Sequence, residues 1–352
     1  MIDSNSVVFK YFYLKFHRKT YIMKIAFFSA KPYDKEFFKK ENENFGFEFI
    51  FYETHLGPHI VNAIENEDAV CVFVNDRLNR EVIEVLAKKG VKVIALRCAG
   101  FNNVDREAVK EFGLKICRVP AYSPEAVAEH AMAMLLTLNR KTHKAYNRVR
   151  EQNFALNGLL GFNLYQKTIG VVGTGKIGKA FVKIAIGFGA KIIAYDLFPD
   201  KDLEAIGVEY MPLESLFSQS DIVSLHCPLT PENHYMINNE FIAKMKNGVT
   251  IINTSRGGLI NTNDAIIALK EKKIGLLGLD VYEQEEKIFF KDLSASIIED
   301  DSIQRLMSFP NVLVTSHQAF FTKEALEQIS QRTLQSISDL LKTGTTDPEV
   351  LL

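Results

Sequence analysis

The sequence predicts an α/β protein with two doubly wound domains, each built on a parallel sheet. Three observations support this prediction. Short apolar runs alternate with helical patterns along almost the whole chain. A glycine fingerprint, Gly-x-Gly-x-x-Gly at positions 173–178, stands in the middle of the chain rather than near its start. The length of 352 residues corresponds to two domains of roughly 150 residues each.

Composition and charge narrow the class of ligand. Hydrophobic residues make up 47% of the chain and charged residues 24%, which is ordinary for a globular protein. The net charge is −1, without a long block of like charge, so the chain has no electrostatic footprint for nucleic acid or an anionic membrane. The four cysteines have no Cys-x-x-Cys spacing, which argues against a zinc site and a disulfide framework. We expect a cytoplasmic protein with reduced thiols, no bound metal and a small-molecule partner.

The first 22 residues have a different character from the rest. Their apolar residues are interrupted by basic ones, no small-residue cleavage site follows, and the stretch is too short to span a membrane. A strand-like run begins at Met23. We therefore interpret residues 1–22 as an N-terminal extension that is not needed for the fold.

The remaining chain is expected to form one domain inserted into another. Residues 23–122 carry five strand patterns separated by helical ones. A helix opens at Ser123, which is followed by proline and acidic residues, and is predicted to continue to about Arg150. Residues 123–317 then form the domain that contains the glycine fingerprint. The helical C-terminal stretch, within 318–352, is expected to return to the first domain.

The fingerprint and its flanks predict a dinucleotide site. A β-branched apolar run precedes it, a helical pattern follows, and a second apolar run ends at Asp196, which lies 21 residues after Gly175 (196 − 175). Gly173 allows a tight turn, Gly175 allows close approach of a pyrophosphate, and Gly178 allows the helix to pack on the strand. Because the carboxylate of Asp196 would repel a 2′-phosphate, NAD is favoured over NADP.

Three side chains that could carry chemistry follow three predicted strands of this second domain. Each follows a short apolar run that is predicted to be a strand, and the three residues are Arg256, Glu285 and His317. They are therefore expected at the carboxyl edge of one parallel sheet. A guanidinium can hold a carboxylate through two parallel hydrogen bonds, and an imidazole can give and retake a proton near neutral pH. A neighbouring carboxylate favours the imidazolium form. Each residue alone could be purely structural, but together they indicate reduction of a 2-oxo acid.

Several motifs extend this interpretation to a family. The chain closely resembles the NAD-dependent D-2-hydroxyacid dehydrogenases from Met23 to its C-terminus. The resemblance rests on the fingerprint and on segments 97–105, 119–124, 226–230, 253–257, 278–283 and 310–317. It implies a flavodoxin-like substrate domain, an inserted Rossmann NAD-binding domain, and assembly as a homodimer or homotetramer.

The resemblance also implies roles for individual residues. Arg256 would anchor the substrate carboxylate, His317 would be the acid and base, and Glu285 would support it. The expected cofactor residues are Gly173, Gly175, Lys176, Ile177, Gly178, Asp196, Cys227, Pro228, Asn233, Thr254 and Asp280. The expected substrate residues are Phe73, Ala99, Gly100, Tyr122, Arg256 and Phe320. The bulk of the aromatic residues in this set implies a small 2-oxo acid such as pyruvate.

Two alternatives stay open from the sequence. One is a dehydrogenase for a bulkier 2-oxo acid, such as phenylpyruvate or a branched-chain keto acid. The other is a non-catalytic NAD-sensing binding protein of the same fold. The chain also departs from the family pattern at Glu286, where many relatives have proline. The resemblance implies that the missing proline is typical of a subfamily that acts on small substrates. We therefore still expect activity.

Overall fold

The computed structural model describes residues 21–352, and the chain divides into two compact units. The first unit contains the described residues up to Tyr122 together with Leu326–Leu352, and the second contains Ser123–Ala325. The second unit therefore continues eight residues beyond the boundary expected at 317 (325 − 317). Most of the predicted N-terminal extension lies outside the described residues. Tyr21, at its end, donates a hydrogen bond from its hydroxyl to the carboxylate of Asp68 at 3.0 Å.

The first unit is a five-stranded parallel sheet in the order β2-β1-β3-β4-β5, which is the flavodoxin order. Its strands are β1 Lys24–Phe27, β2 Glu48–Phe51, β3 Ala69–Val72, β4 Val93–Leu96 and β5 Lys115–Arg118. Its helices up to Tyr122 are α1 Pro32–Glu41, α2 Arg80–Lys88 and α3 Arg106–Glu111. Every residue of β3 and β4 is buried, as expected for central strands with both faces covered.

The second unit is a seven-stranded parallel sheet in the order β12-β11-β10-β9-β6-β7-β8. Its strands are β6 Thr168–Val172, β7 Lys191–Tyr195, β8 Glu209–Tyr210, β9 Ile222–Leu225, β10 Val249–Asn253, β11 Ile274–Leu279 and β12 Val312–Val314. Its helices are α4 Pro124–Arg140, α5 Thr142–Arg150, α6 Lys176–Gly187, α7 Lys201–Ala205, α8 Leu213–Gln219, α9 Asn239–Lys244, α10 Thr262–Lys270 and α11 Asp301–Ser308. The order reverses between β6 and β9, which is the topological switch point of a Rossmann sheet.

The long helix predicted from Ser123 to Arg150 is wrong in one respect, because it is broken at Lys141. This residue has a φ of 52°, in the left-handed region, and separates α4 from α5. Its ammonium group donates hydrogen bonds to the carbonyls of Gly158 and Leu160, at 2.8 and 3.1 Å. The residue at the break is therefore in contact with the loop that follows α5.

The C-terminal helix α12, Lys323–Thr343, begins in the second unit and continues into the first. The boundary between the two units thus falls within this helix. At 21 residues, α12 is the longest helix of the described chain. Neither it nor any other helix in residues 21–352 is long and apolar enough to cross a membrane.

Candidate active site

The glycine turn between β6 and α6 has the geometry that a dinucleotide site needs. Gly173 has a φ of 94°, and a Cβ placed on it would lie 2.6 Å from the backbone nitrogen of Cys227. A Cβ on Gly178 would lie 2.0 Å from the carbonyl oxygen of Gly173, so only glycine lets α6 pack this closely on the turn. Gly175 is the N-cap of α6 and has open space where a Cβ would be. Lys176 and Ile177 occupy the first turn of α6, whose N–H groups can bind a phosphate.

Asp196 lies directly after β7 and is tied to the glycine turn. Its Oδ2 accepts hydrogen bonds from the backbone N–H and the hydroxyl of Thr174, at 2.6 and 3.1 Å, and its Oδ1 accepts from the N–H of Phe198 at 2.9 Å. The Tyr210 hydroxyl donates to Thr174 Oγ1 at 2.9 Å. The carboxylate is half-buried and fixed beside the turn, where it can accept hydrogen bonds from ribose hydroxyls.

The other predicted cofactor residues lie on the loops after β9 and β10. Cys227 is half-buried, and Pro228 is exposed and accepts a hydrogen bond on its carbonyl from the side chain of Asn233 at 2.7 Å. Asn233 thus stabilises the loop after β9 by a hydrogen bond between two residues of that loop. Thr254 is buried, and its hydroxyl has no hydrogen-bond partner among the described residues. A buried hydroxyl without a partner fits a position that a bound ligand completes.

His226, which the sequence did not single out, follows β9 and lies against the same turn. Its Nε2 is 2.8 Å from Ser224 Oγ, and its ring centroid is 4.9 Å from that of Phe181. Its Nδ1 is buried and has no partner among the described residues. Burial lowers the pKa of His226 from 6.5 to about 3, so the ring is neutral near pH 7.

We expect this histidine to make the protein sensitive to acid. The unfolded chain binds a proton at His226 below about pH 6.5, whereas the folded chain resists protonation until about pH 3. The free energy of unfolding should therefore fall as pH drops through this window, with a contribution that approaches about 1.4 kcal/mol per pH unit. Urea unfolding between pH 7 and pH 5 measures it. His226→Asn should flatten the dependence, and His234→Asn, which removes an exposed imidazole, should not.

Glu285 and His317 are in direct contact at the carboxyl edge of the second sheet. The Glu285 carboxylate oxygen Oε1 lies 2.7 Å from His317 Nδ1, and Oε2 accepts the backbone N–H of Tyr282 at 3.0 Å. The side chains of the pair are mostly buried, with exposed fractions of 17% and 19%. A carboxylate at Nδ1 fixes the ring orientation and leaves Nε2 as the nitrogen that can exchange a proton with a ligand.

Arg256 lies on the loop after β10, the strand next to β11 in the sheet. Its side chain is partly buried, and Nη1 donates to the carbonyl of Ser255 at 2.7 Å. The following residue, Gly257, has no room for a side chain, because a Cβ would lie 2.1 Å from the carbonyl carbon of Tyr282. The arginine loop therefore packs backbone to backbone against the start of the segment that carries Glu285.

The predicted substrate residues divide between the two units. Phe73 and Tyr122 are half-buried in the first unit, where Arg97 places its guanidinium 4.8 Å from the ring centroid of Phe73. Ala99 and Gly100 form a partly exposed loop after β4, and Arg118 donates to the carbonyl of Ala99 at 2.8 Å.

The last of the predicted substrate residues, Phe320, belongs to the second unit and is 94% buried, with its ring against that of Phe321. Asp280, predicted as a cofactor residue, is fully buried, and its carboxylate accepts several hydrogen bonds from the segment around His317.

The described chain offers no obvious metal centre. Among residues 21–352, no group of three or more His, Cys, Asp or Glu side chains could hold a metal ion.

The Rossmann order, the glycine turn and the acid after the second strand define a dinucleotide-binding protein, and the family and relatives that it matches are NAD-dependent oxidoreductases. Residues 132–319 match the family model described as D-isomer specific 2-hydroxyacid dehydrogenase, NAD binding domain. The chain belongs to the D-isomer specific 2-hydroxyacid dehydrogenase family, as its relatives also show.

The chain is similar over nearly its whole length to proteins named D-lactate dehydrogenase. It is 55% identical to the D-lactate dehydrogenase of Escherichia coli K12 over 94% of this chain and 100% of the relative. The apo-structure of D-lactate dehydrogenase from Escherichia coli covers the same shares of the two chains, with a TM-score of 0.86 and 53% identity. The D-lactate dehydrogenase from Aquifex aeolicus complexed with NAD and lactic acid has a TM-score of 0.81 and 34% identity, covering 90% of this chain and 95% of that one.

Proposed function

We propose that the protein is a D-lactate dehydrogenase that reversibly reduces pyruvate to D-lactate with NADH. The observation that supports this most directly is the 2.7 Å contact between Glu285 and His317 at the carboxyl edge of a dinucleotide-binding sheet. The similarity to D-lactate dehydrogenases over 94% of the chain supports the same reaction.

The residues of the second unit suit NAD. The glycine turn gives a pyrophosphate close access to the N-terminus of α6, and Asp196 is placed to bind the ribose. Cys227, Pro228, Asn233, Thr254 and Asp280 are proposed to line the rest of the site. NADH, when bound, supplies the hydride for the carbonyl carbon. We assign the cofactor to the second unit, and the substrate residues Phe73, Ala99, Gly100 and Tyr122 to the first.

The chain's own residues perform the remaining steps. Arg256 binds the substrate carboxylate through two charge-assisted hydrogen bonds and withdraws charge from the neighbouring carbonyl. His317 donates a proton from Nε2 to the carbonyl oxygen as it becomes a hydroxyl, and retakes it in the reverse reaction. Glu285 stabilises the protonated imidazole through Nδ1.

Pyruvate-dependent loss of NADH absorbance tests this proposal. We expect kcat/KM to be roughly tenfold or more higher with pyruvate than with phenylpyruvate, because the aromatic side chains limit the space for substrate. We also expect NADH to be preferred over NADPH, because Asp196 repels a 2′-phosphate. Preference for phenylpyruvate would favour the bulkier-substrate alternative. NADH binding without turnover of any 2-oxo acid would favour a non-catalytic NAD sensor.

We also propose that the protein works in the cytoplasm as a homodimer or homotetramer. Within residues 21–352 none of the four cysteines forms a disulfide bond, which suits a reducing compartment. Several large apolar side chains of the second unit are exposed, which fits burial against another copy. They include Phe154, Leu156 and Leu160, with exposed fractions of 72%, 81% and 89%. Light scattering on the purified protein would contradict this assembly if it gave the mass of a single chain, 39.9 kDa.

A further inference from the structure

The backbone of His317 has an unusual conformation. Its φ is 53°, in the left-handed region that residues with a Cβ seldom adopt. Such a conformation persists only where surrounding contacts over-determine it, and it is often found at functional sites. The contacts that hold this residue therefore also determine where its imidazole points.

Asp280 supplies most of those contacts. Its backbone carbonyl accepts the N–H of His317 at 2.6 Å. Its carboxylate oxygens Oδ1 and Oδ2 accept the backbone N–H groups of Gln318 and Ala319, both at 2.9 Å. Asp280 has no exposed surface, so its position depends on the groups packed around it.

Two further side chains hold the Asp280 carboxylate. The Thr315 hydroxyl donates to Oδ1 at 2.6 Å. His130 Nε2, on α4, lies 3.3 Å from the same oxygen and 3.2 Å from Thr315 Oγ1. Burial alone would raise the pKa of Asp280, but hydrogen bonds from His130, Thr315 and the N–H of Gln318 outweigh it and lower that pKa, which keeps the carboxylate ionised.

The helix that carries His130 is firmly placed against this sheet. Met134, one turn further along α4, lies 3.7 Å from Thr315 Oγ1 through its sulfur. A Cβ on Gly278 of β11 would lie 3.1 Å from a methyl of Leu138 and 3.5 Å from a methyl of Met134, so α4 and the strand are in close contact. His130 and Thr315 thus have fixed positions from which to hold Asp280.

We infer that Thr315 and His130 are positioning residues, which act through Asp280 to hold His317 in its left-handed conformation. The inference rests on the proposed function, in which His317 exchanges the proton with substrate. Neither residue needs to touch the substrate. Without their hydrogen bonds, Asp280 loses its fixed place, and the segment that carries His317 relaxes towards an ordinary backbone conformation.

A matched pair of substitutions at Thr315 tests this. Thr315→Val keeps the side-chain shape but removes the hydroxyl, whereas Thr315→Ser keeps the hydroxyl. The measurement is the single-turnover rate constant of NADH oxidation, with enzyme in excess over NADH and pyruvate saturating. While the folded enzyme stays in excess over NADH, the rate constant reports the bound complex and does not depend on what fraction of the enzyme is folded.

We expect Thr315→Val to lower this rate constant about tenfold or more, since small displacements of a catalytic group have large effects. Thr315→Ser should stay within about twofold of the unsubstituted protein. Equal rate constants for the valine and serine variants would overturn the inference. Absence of any pyruvate-dependent turnover in the unsubstituted protein would instead defeat the proposed function.

A second pair of substitutions, at His130, tests the inference if the Thr315→Val variant does not fold. His130→Gln keeps a side-chain N–H donor, and His130→Leu removes it. We expect the leucine variant to be slowed at the chemical step and the glutamine variant to recover most of the rate. A leucine variant that folds and turns over at the unsubstituted rate would contradict the positioning role.

Discussion

Replacing His317 with glutamine should lower kcat by about 10²–10⁴-fold, the usual contribution of a general acid or base. Glutamine has similar length and can keep a hydrogen bond to Glu285, but it cannot exchange a proton near neutral pH. The NADH dissociation constant should change little, because His317 is not among the proposed cofactor residues. Steady-state turnover with pyruvate and calorimetric titration with NADH would measure the two effects separately.

A matched control is available in the first unit. His59 is exposed and lies outside every proposed site, so His59→Gln should leave kcat within about twofold of the unsubstituted value. If His317→Gln retained full turnover, His317 would not be the proton donor. If it lost NADH binding together with turnover, its role would be in cofactor binding rather than proton transfer.

Much of the fold was predictable because the buried strands of a parallel sheet appear in the sequence as continuous apolar runs. Strands β3, β4 and β10 are of this kind. The edge strand β8 has only two residues, Glu209–Tyr210, and carries no such run, so the sequence prediction missed it. The break at Lys141 was also missed, because no glycine or proline marks it, and its hydrogen bonds reach carbonyls 17 and 19 residues away.

In the candidate site, too, some features have a local sequence pattern, whereas others depend on contacts between residues far apart in the chain. The glycine turn has a local sequence pattern, and residues after parallel strands reach one edge of the sheet, so Arg256, Glu285 and His317 could be proposed from sequence. The left-handed backbone of His317 has no such signal, since glycine and asparagine are the residues that usually mark it. His130 and Thr315 meet across 185 residues, and no spacing in the sequence indicates that contact.

Arg256→Lys should lower kcat/KM for pyruvate by about 10²–10³-fold. Lysine keeps the positive charge but replaces a planar fork with a point charge, so one of two parallel hydrogen bonds to the carboxylate is lost and the other is misplaced. Hydrogen bonds to charged groups contribute about 1.5–3 kcal/mol each, and each 1.4 kcal/mol corresponds to a tenfold change in rate. Initial rates over a range of pyruvate concentrations, with NADH saturating, give the ratio directly.

Separate values of KM and kcat for Arg256→Lys show which role Arg256 has in the reaction. Weaker binding of the carboxylate alone raises KM, whereas loss of carbonyl polarisation in the transition state also lowers kcat. We expect both changes, because the same guanidinium is proposed to serve both purposes. Arg305→Lys, at an exposed arginine of α11 in the same unit, should change neither. Unchanged kcat/KM in Arg256→Lys would mean that the guanidinium fork is not what holds the substrate carboxylate, and another cation would have to be sought.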